Sequence, residues 1–284
     1  MSETTLARPE DYYAAGDDVV SAMNALFDGD GLRLRHESVP ELLGVASYYT
    51  VRTLRNYAAV LQLCKQDFGV EAQAIVRLML EGVIDLRYIS TDPDVLAVQW
   101  VEHEQRRRYY YFKAAQRLGD DLTPPNDWAE VEALIARDWE DARELAGRGA
   151  TRAKVKRHLL TKSWTRKNLY QRAEAAEAKW KGTKDGYHLY EYLCEHTHGS
   201  ASGAGDYMVA VNGTVHLAVG QTGYKGIMPL ALATCYAHWA FQALHDLCVS
   251  EDLDVITVAR ERVDMEAALG DMERHVHAEA EVER

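Results

Sequence analysis

Proline is scarce in this chain: six in 284 residues leave little to interrupt a helix. Cysteine is scarce too. Cys64, Cys194, Cys235 and Cys248 are far apart and form no C-x-x-C pair, which excludes a disulfide framework and a zinc-finger pattern. Free thiols point to a reducing, cytoplasmic setting. No apolar run approaches the eighteen or so residues that a membrane span needs, and the opening MSETTLARPEDYY lacks the charged-then-apolar profile of a signal peptide. Equally absent are a Gly-rich phosphate loop, a dinucleotide fingerprint and a Gly-x-Ser-x-Gly elbow. These absences argue against three common enzyme classes.

Acidic residues are what the chain has in excess. The formal net charge is −12 and the sequence pI is about 5.4, so the average surface repels phosphate backbones. Residues 151–172 reverse that sign locally. RAKVKRHLLTKSWTRKNLYQR contains no Asp or Glu, and it interleaves Arg152, Lys154, Lys156, Arg157, Lys162, Arg166, Lys167 and Arg172 with Trp164 and Tyr170. Basic groups neutralise phosphates and aromatics stack on bases, so this is the best nucleic-acid footprint in the sequence. QRRRYYYFK at 105–113 is a second. In the competing structural reading each stretch pairs with an acidic neighbour such as 129–144.

Helical periodicity dominates. Amphipathic or apolar helices are expected at about Pro9–Phe27, Val39–Asp67, Glu71–Ser90, Asp94–Leu118 and Trp128–Ala146. Further helices are expected to about Trp180, at Tyr187–His198, at Ile227–Val249 and from Leu253 to the C-terminus. The Glu71–Ser90 segment is apolar around most of its circumference, the mark of a bundle centre. Between Asp206 and Val219, apolar residues alternate on both sides of Asn212-Gly213, a hairpin signal. The expected fold class is all-α: a multi-helix bundle with a small β-hairpin insertion near 206–219. It forms one domain over 1–284, with an N-terminal helix within 1–30, a core at about 39–249 and a polar tail at 270–284 that frays.

Chemistry concentrates in YHLYEYLCEHTHGSASG, residues 187–203. On a helix, Tyr187, Tyr190, Cys194 and His198 share a face. Glu195 and His198 have the Glu-x-x-His spacing of di-iron bundles, but it occurs once where those bundles use it twice. A metal site would draw on Glu81, Glu195 and His198, with Asp85, Glu102 and Glu104 as further carboxylates; no cofactor is otherwise expected. Arg77 and Glu81 stand four apart inside the most apolar helix. They form either a register-holding salt bridge or a polar site where Glu81 meets His198 as an acid–base pair. His238, His245 and Asp246 read as core or interface residues.

The helix AIVRLMLEGVIDLRYI with its Arg-x-x-x-Glu, the following EHEQRRRYYYF and a late Tyr-x-x-x-Ser-x-x-x-His-Gly motif resemble an uncharacterised bacterial family of unknown function. The likeness runs over roughly residues 40–245. In this chain the last motif reads Tyr190, Cys194, His198 and Gly199, with Cys194 in place of the usual Ser. That family is similar in outline to the HEPN domains, helical bundles that often dimerise. Many of them are metal-independent ribonucleases of toxin and phage-defence systems, with an Arg four to six residues before a His. No Arg stands so before His198. The formal match is Arg152 to His158, with Ala153 where a polar residue is customary. The resemblance implies a catalytic set of His198, Glu81, Arg77 and Tyr190, with Arg77 standing in for the missing Arg.

Three function classes follow. One is a HEPN-like domain acting on RNA or a nucleotide, with the 151–172 strip holding phosphate. Another is a non-catalytic homodimeric interaction protein, and the third is a carboxylate–histidine metal enzyme.

Overall fold

The computed structural model describes residues 9–28, 33–34, 39–119, 123–124, 126–159, 164–197, 208–211, 214–217 and 227–249. Within them the helices are α1 (Pro9–Asp28), α2 (Pro40–Lys65), α3 (Gly69–Ile89), α4 (Pro93–Arg117), α5 (Trp128–Ala146), α6 (Arg152–His158), α7 (Leu169–Ala176), α8 (Thr183–Thr197) and α9 (Ile227–Leu247). Pro40 and Pro93 each open a helix in its first turn, where a missing N–H costs nothing.

Helix α3 lies at the centre, as its apolar circumference requires. It packs against α2, α9, α8 and α7, while α1 covers α2 and α9. Leu80, Ile84, Leu86 and Ile89 of α3 meet Leu42, Tyr57 and Leu61 of α2 and Tyr236, Phe241 and Leu244 of α9 in one buried cluster. Each such aliphatic side chain contributes about 1.5–3 kcal/mol. The Tyr57 hydroxyl is 3.0 Å from the Thr234 hydroxyl and ties α2 to α9. Outside this core α4 packs on α2, α5 on α4 and α6 on α5. Ala142, Ala146 and Val155 make a small second cluster there.

The fold-class expectation is corrected at the hairpin insertion. Among the described residues the architecture is a helical bundle with no β-sheet layer. What pairs antiparallel near 206–219 is two four-residue segments, Met208–Val211 (β2) and Thr214–Leu217 (β3), joined to each other and, among the described residues, to no third strand. A second pairing of two residues each, Arg33–Leu34 (β1) with Cys248–Val249 (β4), lies outside the sequence expectation. Alternation is a property of a few residues, and two isolated strands of this length do not build a layer. Among the described residues the main core is helical apart from Trp164.

A further difference concerns 152–180. The strip does not run as one helix but splits into α6, a bend at 164–167 and α7. Helix α7 starts afresh because Asn168 and Gln171 form a capping box: Asn168 Oδ1 accepts from the Gln171 amide at 2.8 Å, and Gln171 Oε1 accepts from the Asn168 amide at 3.0 Å. Helix α8 begins at Thr183, a turn earlier than expected, because the Glu177 carboxylate accepts from the amides of Gly182 and Lys184 at 3.1 and 2.8 Å. These bonds hold Glu177 below the usual carboxylate range. The expected helix from Leu253 and the 270–284 tail lie outside the described residues.

Candidate functional site

Four of the singled-out residues sit along the contact between α3 and α8. Arg77 projects from α3, and its Nη2 donates to the Tyr190 hydroxyl at 2.8 Å. Its Nε donates to Cys194 Sγ at 3.1 Å. The guanidinium also lies 4.9 Å from the centroid of the Tyr190 ring. Tyr190 stacks on Tyr187 at 5.6 Å, and Tyr187 meets Tyr170 of α7 edge-on at 5.2 Å. Three aromatic rings thus wall the side of the cluster nearest α7.

Glu81 lies one turn along α3 from Arg77, yet the two form no ion pair. Among the described residues neither has a carboxylate or cationic partner within salt-bridge distance. The register-holding salt bridge is therefore not what fixes Arg77. A phenol and a thiol do so, and no carboxylate among the described residues pairs with it. Burial acts to depress the Arg77 pKa, but the bonds to Cys194 and Tyr190 outweigh it and raise the value. Burial raises the Tyr190 hydroxyl, the Arg77 bond opposes this, and the nearby charge of Glu81 adds to the rise.

His198 and the side chain of Glu195 lie outside the described residues, so the Glu81–His198 pairing and the alternative metal set Glu81, Glu195, His198 do too. The other carboxylates offered for a metal are engaged elsewhere. Asp85 contacts Arg172 at 2.7 Å, Glu102 takes Arg106 and Arg137, and Glu104 takes Arg107. Among the described residues no group of three His, Cys, Asp or Glu side chains could hold a metal ion.

The basic strip divides. Arg152, Lys154 and Lys156 are exposed on α6 and form no ion pair with a described residue. Arg166 and Lys167 are exposed in the bend, while Lys162 and the side chain of Arg157 lie outside the described residues. Arg172 is buried, held by Asp85 and by the Lys167 carbonyl at 3.1 Å. Trp164 is also buried, 5.5 Å from the Tyr88 ring, with its indole N–H 3.4 Å from Asp85. The tryptophan expected to stack on bases is core. The second footprint, at 105–113, is ion-paired throughout its charges: Arg106 with Asp138 and Glu102, Arg107 with Glu104, Arg108 with Asp127, Lys113 with Glu132.

Sequence reasoning missed Arg87. It is 2% exposed, donates to Thr183 Oγ1 at 2.9 Å and to Gln242 Oε1 at 3.3 Å, and lies 4.2 and 5.4 Å from the ring centroids of Trp239 and Trp180. Burial lowers its pKa to about 10. The signal, an arginine with tryptophans on distant segments, depends on tertiary packing and has no local spacing.

Among the described residues no helix is long and apolar enough to cross a membrane. No curated protein and no solved structure matches the chain. The profile of a family of unknown function, DUF5677, matches residues 43–214 and so takes in α2 through α8 and the whole Arg77 cluster; by that match over more than half its length, the chain belongs to this family.

Proposed function

We propose that the chain is a HEPN-like helical domain that acts on RNA or a nucleotide without a metal, in a stress or phage-defence role. Arg77 holds a phosphate oxygen, and Glu81 and His198 serve as base and acid. The observation that carries this reading is that no carboxylate among the described residues pairs with Arg77. A half-buried guanidinium fixed by Tyr190 and Cys194 rather than by a carboxylate is oriented without being discharged. It can meet an anion without first breaking an ion pair, and the fixed orientation lowers the cost of binding. His198 follows Cys194 by four residues in the sequence, the spacing of one helical turn. Phosphodiester cleavage by such a set needs only proton transfer and charge stabilisation.

The test is cleavage of a mixed RNA pool by wild type and by His198→Ala, each with and without a chelator. Chelator-resistant cleavage that a folded His198→Ala protein lacks is expected. Chelator-sensitive cleavage sinks the metal-free mechanism, and equal cleavage by both proteins removes His198 from it.

A second reading, a homodimeric interaction protein, draws on Leu43, Tyr48 and Val51, which are 41–43% exposed on α2. Sedimentation at micromolar concentration tests it: a monomer throughout ends this reading.

A further inference from the structure

The corner between α5 and α6 holds an open pocket of about 920 Å³, lined among others by Trp139, Arg143, Glu144, Arg148, Arg152 and Val155. Its size suits a small-molecule or single-nucleotide ligand, for which about 300–1,000 Å³ is usual. Three arginines face one glutamate, and among the described residues none of the three arginines takes part in an ion pair. The contrast with neighbouring α4 is instructive, because there Arg106, Arg107, Arg108 and Lys113 all have carboxylate partners. In a chain of net charge −12, acidic partners are plentiful. What distinguishes Arg143, Arg148 and Arg152 is that all three line one pocket and none has an ion-pair partner among the described residues.

The backbone arranges them. Gly147 and Gly149 take φ values of +84° and +75°, which glycine reaches without strain. They turn the chain sharply and carry Arg148 between α5 and α6. A Cβ added at either glycine would meet nothing within 4 Å, so the space before them is open. Arg152 lies 5.9 Å from the centroid of the Trp139 ring, which limits its wandering and leaves its N–H donors for another partner. Beneath, Trp139 rests on Ala142, Ala146 and Val155, which give the pocket a fixed floor.

We propose that this corner is a phosphate-binding pocket, which takes either the polyphosphate of a nucleotide or successive backbone phosphates of single-stranded RNA. Arginine is suited to both, since its planar fork matches phosphate oxygens two at a time. The acidic average of the surface does not cancel the local field, because charges beyond about 8–10 Å are largely screened at physiological salt. Lys154 and Lys156, exposed on α6, extend the basic surface beyond the pocket. This inference goes beyond the function proposed above and stands even if the α3–α8 site is inert.

The full-length protein would be titrated against fluorescent ATP and a labelled ten-nucleotide single-stranded RNA at about 50 and 200 mM salt, with anisotropy as the readout. The variants are Arg148→Gln, Arg152→Gln and, as a paired-arginine control, Arg108→Gln; all three residues are exposed. Each pocket variant should weaken binding about 3- to 10-fold and reduce the salt slope for RNA by about 0.7, while Arg108→Gln changes affinity less than about 2-fold. Pocket-dependent binding of RNA alone identifies a backbone site, and pocket-dependent binding of ATP identifies a polyphosphate site; both support the proposal. Binding of neither probe below about 1 mM overturns it, and so does binding that survives both pocket substitutions. If Arg77→Gln loses binding while Arg148→Gln and Arg152→Gln keep it, the ligand belongs at α3–α8 and the α5–α6 pocket is refuted.

Discussion

At the scale of single residues, the account turns on how Arg77 is held. Its partners at 2.8 and 3.1 Å are a phenol and a thiol, so among the described residues no carboxylate positions the guanidinium. The replacement of Ser by Cys194 in the late motif is intelligible on this geometry, because either side chain can accept from Nε. Cys194→Ser is expected to keep the contact and to change stability by no more than about 1 kcal/mol, whereas Cys194→Val leaves a half-buried donor unpaired and costs about 1–3 kcal/mol. Urea denaturation of the two variants beside wild type checks this; equal losses would show that the thiol is mere filler. Arg87 has a different use. Set beside Trp239 and Trp180, with bonds to Thr183 and Gln242, it links α3 to α8 and α9. Arg87→Ala removes packing and orphans those polar partners, and a loss of about 2–4 kcal/mol is expected in the same assay.

At the scale of elements, the contact between α3 and α7 carries a buried ion pair with a pH signature. Asp85 meets Arg172 at 2.7 Å, with the Trp164 indole at 3.4 Å and the Tyr49 hydroxyl at 3.5 Å. Burial pushes the Asp85 carboxyl up from 3.8 to about 6; Arg172 opposes this and the charge of Glu81 adds to it. Folding therefore favours the protonated acid. The contribution is complete below about pH 4 and is lost as pH rises through about 6, on the order of 3 kcal/mol in all. Wild type should accordingly lose stability relative to Asp85→Asn between pH 4 and 6.5. A difference that stays flat, or that moves in wild type's favour, would contradict the assignment. Asn168→Ala should cost about 1 kcal/mol through the lost capping box at α7, and thermal melts would show it. The long helices were legible in the sequence because each declares itself within its own span: apolar periodicity in α2 and α3, proline in the first turn of α2 and α4, and Gly147 at the end of α5. The break inside 152–180 is written in Asn168 and Gln171, a local capping signal that the basic composition of the strip does not carry. Arg77 and Tyr190 were legible as members of a site. That Arg77 bonds across to α8 rather than along α3 to Glu81 was not, since the choice depends on how the two helices pack.

At the scale of the whole molecule, charge is segregated. On α4 and α5, Arg106, Arg107, Arg108 and Arg137 pair with carboxylates, from the buried Arg106 with Asp138 to the exposed Arg108 with Asp127. Among the described residues, the arginines without an ion pair include Arg77 on α3 and Arg143, Arg148 and Arg152 around the α5–α6 corner. Composition alone foresaw a strip at 151–172 but could not separate its exposed lysines from the buried Arg172 and Trp164, because burial is decided by residues on α3. The central claim is that Arg77 serves an anion and not the fold. The most direct measurement pairs RNA cleavage with urea denaturation for wild type and Arg77→Gln. The account predicts cleavage reduced at least about 100-fold, a loss of roughly 2.7 kcal/mol or more in transition-state stabilisation, with folding stability changed by no more than about 1 kcal/mol. Cleavage per folded molecule left intact, no cleavage by wild type, or a stability loss of about 3 kcal/mol or more would instead make Arg77 a structural residue and contradict the account.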